Sequence, residues 1–181
     1  SFFGRRTTGR QLHDLARDAV AEHRREAPDA TGIREAADGV EHATRAFRLA
    51  LGEGARRDSW SAVSGEADVS RALAGLRDAV EALEGELGAM SERARGLEQC
   101  ARRARELGTA LDEWLEPPAD SGVVQWFETF RTGFSLALTP LDVAGRFRQL
   151  MASWPGAWIF TSATLSVGGR FDHFRRRMGL D

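Results

Sequence analysis

Residues 157–166 run Ala157-Trp158-Ile159-Phe160-Thr161-Ser162-Ala163-Thr164-Leu165-Ser166, an apolar stretch that passes straight into a hydroxyl-rich turn. Gly156 precedes it and Gly168-Gly169 follow. A short apolar run bounded in this way predicts a buried strand of a parallel sheet, Trp158 to Thr161. Ligands of such sheets bind just beyond the carboxyl ends of the strands. Thr161, Ser162, Thr164 and Ser166 would stand at that edge. Ser and Thr at a strand end also hydrogen-bond local backbone, so the chemistry has to be argued from what surrounds them.

Working outward, Val123 to Phe130 and Phe134 to Leu138 read as strands. Leu141 to Ser153 reads as a helix carrying Val143, Phe147, Leu150 and Met151, and Phe171 to Met178 as a short one. The mixture is that of the edge of an α/β domain. Fewer than about 65 residues make a poor independent core, so this portion needs further chain or a partner. Pro117-Pro118 with Asp120, Ser121 and Gly122 marks its boundary.

Before that boundary the period is helical. Leu12, Leu15, Ala19, Val20 and His23 share one face, and Pro28-Asp29 ends their helix. Ile33, Ala37, Val40, Thr44, Phe47 and Leu51 make a second amphipathic helix, stopped by Gly52 and Gly54. Val69, Leu73, Leu76, Val80, Leu83, Leu87 and Met90 then alternate by four and three, with Leu97, Leu111 and Leu115 in register. Unbroken, this element would span roughly 70 Å at about 1.5 Å per residue. Its seam weakens after Met90 to Ala94, Ala101 and Gly108, while Cys100, Leu107 and Trp114 open an adjacent stripe. Such a phase change means a kink near Gly88, two shorter helices, or one helix with different partners. Two antiparallel or bent segments are the favoured reading.

Composition excludes several chemistries. With 181 residues, 42% hydrophobic content and a formal net charge of −2, the chain is neither disordered in character nor strongly basic. All 25 basic residues are Arg, so there is no P-loop lysine and no Schiff-base chemistry. A single cysteine, Cys100, cannot hold a four-thiolate iron–sulphur cluster or a zinc site. His13, His23, His42 and His173 lack ligand spacing. One Cys, no signal peptide and no long apolar run predict a cytoplasmic location and no membrane span. The chain begins without Met and stops at Gly179-Leu180-Asp181, and reads as an excised fragment.

TSATLS, preceded by FETFRTGFSLALTPLDVAGRF and followed by GGRFDHFRRRMGL, resembles the third helicase motif and its surroundings in the DinG/XPD family. These are superfamily 2 DNA helicases with an iron–sulphur cluster, and the bacterial DinG/YoaA-like branch fits best. The resemblance covers residues 123–180. Ser1-Phe2-Phe3-Gly4 also resembles the residues that follow the family's DEAH box. The helices between are similar to the family's arch domain in length and placement only. Ala163 departs from the Gly of eukaryotic members.

The resemblance implies a mainly α fold, an elongated helical arch domain followed by a partial α/β (RecA-like) motor segment. Residues 1–7 would leave the first motor domain, 8–118 form the arch, and 119–181 close that motor domain. It implies 5′-to-3′ translocation on single-stranded DNA in DNA repair, with ATP, Mg2+ and a 4Fe–4S cluster held elsewhere in the protein. No cofactor is expected in this stretch, which by itself should be inactive. Thr161, Ser162 and Thr164 would couple nucleotide state to strand movement. Hydroxyls suit that task because they donate to carboxylates without adding charge.

Two further groups are candidates for DNA contact. Arg56, Arg57 and Trp60 lie in what reads as a long polar loop, where Arg could pair phosphate and Trp stack on a base; alternatively Trp60 tucks against the helices. Arg170, Arg175 and Arg176, with His173 and Arg177, could track a nucleic-acid backbone or simply complement a helix dipole. A rival reading of the whole is a helical interaction or scaffold module, its 69–115 seam a protein-binding surface without ATP-linked activity.

Overall fold

The computed structural model describes residues 4–117, 122–141, 144–154, 156–161, 166 and 168–180. Four helices come first in the packing. α1 (Gly9–Glu26), α2 (Thr31–Ala50), α3 (Ala67–Ala89) and α4 (Arg95–Leu115) each pack against two of the others, closing a four-helix bundle. The longest, α3, runs about 35 Å at 1.5 Å per residue.

Local sequence sets the ends of these helices. Thr8 caps α1: its hydroxyl accepts from the Gln11 amide at 3.3 Å, while its own amide donates to Gln11 Oε1 at 2.8 Å. This reciprocal pair satisfies two donors that the first turn leaves open. Pro28 prevents α1 from continuing past Ala27. The long 4-3 seam divides at Met90 into α3 and α4, joined by a 3-10 turn at Ser91–Arg93. Ser91 closes the break by donating to the Gly88 carbonyl at 2.8 Å. Across it, α3 buries Val69, Leu73, Leu76, Val80, Leu83 and Leu87, and α4 answers with the smaller Cys100, Ala101 and Ala104.

The second layer is an antiparallel sheet of β1 (Arg5–Thr8), β2 (Arg56–Ser59), β3 (Val123–Thr129) and β4 (Phe134–Pro140), in the order β1-β4-β3-β2. One sheet thus takes strands from before, within and after the 8–118 stretch. Its inner face sets Phe127, Leu136 and Phe134 against the bundle, with Phe134 edge-on to Phe47 at 4.9 Å. Arg48, at the end of α2, clamps the layers together. Its guanidinium donates to the carbonyls of Phe130 (2.8 Å), Gly52 (2.7 Å) and Gly54 (3.0 Å). Bonds from a charged donor are about twice as strong as neutral ones, and these hold the β3–β4 hairpin and the approach to β2.

Beyond the sheet, α5 (Ala144–Ser153) and α6 (Asp172–Met178) pack together. The expectation for Trp158 to Thr161 needs correction. These residues form no strand, and every sheet pairing among the described residues is antiparallel. A strand exists through bonds to a neighbour, and among the described residues this segment has no strand beside it. Its rings pack instead: Phe147 of α5 meets Trp158 (6.1 Å) and Phe160 (5.7 Å), and Phe160 meets Phe174 of α6 (5.5 Å).

Candidate nucleic-acid interface

Arg56, Arg57 and Trp60 are adjacent in sequence but do not converge. β2 makes this unavoidable, because successive residues of a strand point to opposite faces. Arg56 lies on the inner side, paired with Asp58 at 3.1 Å and over the Phe127 ring at 5.0 Å. Trp60 opens the 3-10 turn after β2 and is half-buried. It packs edge-on against Trp114 at 5.5 Å and Phe127 at 6.5 Å. Its indole is therefore turned to the core, as the tucked alternative requires. Arg57 alone reaches the outer face, where its guanidinium lies 3.9 Å from the centroid of Trp126.

Trp126 has a second cation. Arg6 of β1 sits 5.3 Å from its ring, and the indole N–H donates to Thr139 at 2.9 Å. Register explains the meeting: Arg6 and Trp126 both stand opposite Ala137, one from each side of β4. Neither Arg6 nor Trp126 stands out in the sequence alone. The available signal was alternation, since Val124, Trp126 and Glu128 alternate with the positions that include buried Phe127 and Thr129, and so take the opposite face of β3. Nearby, a cleft of about 640 Å3 opens between β1 and α4, lined by Arg5, Arg6, Thr7, Arg103 and Arg105 among others. Three of its arginines are already paired, Arg5 with Glu113, Arg103 with Asp18 and Arg105 with Glu84.

The remaining candidates lie apart from this face in the sequence. Thr161 is exposed, while Ser162 and Thr164 fall outside the described residues. Arg170 is committed to Asp172, through bonds of 2.6 and 2.8 Å. Arg175 and Arg176 are exposed on α6 and form no ion pair among the described residues. Cys100 is buried on α4, and burial pushes its thiol above the ordinary range. One buried thiol does not fit an iron–sulphur cluster, and a chain without Lys does not fit a P-loop nucleotide site. No helix among the described residues is long and apolar enough to cross a membrane.

Comparison with known proteins agrees with the helicase resemblance. No family model matches the chain. The ATP-dependent DNA helicase YoaA of Escherichia coli (strain K12) is 36% identical to it over 180 residues, 99% of this chain. YoaA of Haemophilus influenzae is 32% identical over 181 residues. The chain spans 28% of the length of each of these relatives. From end to end, then, this chain is similar to one segment of the YoaA helicases, a mainly helical segment with a small sheet attached.

Proposed function

We propose that the chain is a segment of an ATP-dependent DNA helicase of the DinG/YoaA kind, which translocates 5′-to-3′ on single-stranded DNA in cytoplasmic DNA repair. The observation that carries this reading is the match to YoaA across 99% of the chain. In it, the helical bundle within residues 8–118 contributes to the arch that encloses the strand, and residues 119–181 belong to the motor domain. The hydroxyls of Thr161, Ser162 and Thr164 couple the nucleotide state to movement. ATP, Mg2+ and the iron–sulphur cluster are held by residues elsewhere in the protein, where they supply phosphoryl-transfer chemistry and a structural clamp. What this chain contributes is the shape and charge of the strand's path and hydroxyls to respond to the motor.

Ser162→Ala with Thr164→Ala in the complete helicase tests the coupling role. Removing hydroxyls deletes hydrogen bonds without opening a large cavity, so melting temperature and strand affinity should hold while unwinding per ATP falls. Unwinding at the wild-type level per ATP would sink the coupling role. A collapsed melting temperature would make these hydroxyls structural. A complete protein that hydrolyses no ATP on single-stranded DNA would refute the helicase reading itself.

A further inference from the structure

The outer face of the sheet carries a cationic arrangement that the helicase motif does not use. Pleat and register put Arg6, Ala137 and Trp126 in one cross-strand row, and Ser135, Glu128 and Arg57 in the next. Arg6 and Arg57 are exposed, come from opposite edges of the sheet, and converge on one indole. Their guanidinium carbons therefore lie within roughly 9 Å of each other. Neither has an ion-pair partner among the described residues, and Glu128, opposite Arg57 in register, does not pair with it. Most arginines of the bundle, by contrast, are tied to carboxylates, as Arg77, Arg93, Arg103 and Arg105 are. Ser135 also keeps a buried hydroxyl without a hydrogen-bond partner.

We infer that this face binds the phosphodiester backbone of single-stranded DNA, with Arg6 and Arg57 held against Trp126 and each pairing with a phosphate. A stacked guanidinium keeps its N–H donors in the plane of the fork, directed away from the ring and free for bidentate phosphate contact. Stacking also restrains two long side chains before the ligand arrives, which lowers the entropy cost of binding. With arginines against its ring, Trp126 is a support and not a platform for bases, so the contact is to backbone and independent of sequence. Arg6 also lines the cleft toward Arg103 and Arg105. Those two are paired with Asp18 and Glu84, so the free cations here, among the described residues, are the two on the sheet, and two phosphates held side by side suit an extended polyanion better than a mononucleotide. The inference rests on the helicase reading for its choice of strand and deepens it by naming where the strand lies.

The test is the complete helicase carrying Arg6→Gln and Arg57→Gln, titrated with fluorescein-labelled oligodeoxythymidylate over a salt series. Each phosphate contact on a single strand contributes about 0.7 to the slope of log affinity against log salt, so the slope should fall by about 1.4. Raising salt from about 50 to 200 mM would then cost the variant about sevenfold less affinity than it costs the wild type. Arg6→Lys with Arg57→Lys keeps the charges and should restore most of the slope, which a purely structural stack would not do. If the double glutamine variant fails to fold, Arg57→Gln alone, on the exposed edge strand β2, should lower the slope by about 0.7. An unchanged slope in the folded variant overturns the site. So does competition by thymidine monophosphate as effective as the oligomer at equal phosphate concentration. ATP-driven unwinding is measured alongside: its absence refutes the helicase reading, whereas unwinding with an unchanged slope refutes this site alone.

Discussion

Trp60→Ala separates a packing role from a DNA-stacking role at the residue where the two readings diverge most. The indole is half-buried against the core, edge-on to Trp114 and Phe127. Replacing a fully buried Trp by Ala costs about 3–5 kcal/mol, and edge-to-face pairs add about 0.5–1.5 kcal/mol beyond area. For a partly buried ring, a loss of about 2–3 kcal/mol is expected. A domain of 150–250 residues shifts by about 2–4 °C per kcal/mol, so the melting temperature should fall by about 4–12 °C. Urea denaturation should show a lower midpoint with an unchanged slope. Single-strand affinity below the transition should stay within a factor of two, because an indole turned inward offers no face to a base. Trp60→Phe, which keeps an edge contact, should recover more than half of the lost stability. A base stacked on Trp60 would contribute about 1–3 kcal/mol to binding. An unchanged urea midpoint together with about tenfold weaker DNA binding would therefore refute the reasoning and return Trp60 to the DNA interface.

Two further outcomes follow from the backbone and from charge. Gly4 has φ +109°, and a Cβ there would stand 2.1 Å from the Leu138 carbonyl oxygen; Gly4→Ala should cost at least about 2–3 kcal/mol and speed hydrogen exchange at Arg5–Thr8, and full protection in the variant would contradict the β1–β4 register. Arg93 donates to both carboxylate oxygens of Asp29, at 2.6 and 2.8 Å, and this hydrogen bonding holds Asp29 below the usual carboxylate range. A lowered folded pKa contributes stability above the unfolded pKa and loses it as pH falls through the folded value. The stability gap between wild type and Asp29→Asn should thus be full at neutral pH and close in acid below the ordinary aspartate range; a gap independent of pH would show that the bond does not matter to folding.

The helices were legible because each closes its own hydrogen bonds four residues away and shows its buried face at a fixed spacing. The seam from Val69 to Leu87, the weakening after Met90 and the stop at Pro28 are local facts, and α1 to α4 follow from them. β3 and β4 were legible too, since both carry apolar residues and are joined by a short turn. The helicase likeness of residues 123–180 was likewise present in the order of residues alone.

Tertiary structure decided what depends on remote partners. β1 and β2 are four-residue strands of sequence RRTT and RRDS, without apolar periodicity. They are strands only because β4 and β3 offer them free edges. Trp158 to Thr161 has the composition of a strand and is not one, since no neighbour among the described residues pairs with it and its rings are taken up by α5 and α6. The Arg6–Trp126–Arg57 stack was beyond reach for the same reason. Its members come from three strands far apart in sequence, and which face each side chain takes is set by register. A helix satisfies its backbone within itself, whereas a strand is completed only by another strand brought from elsewhere in the chain.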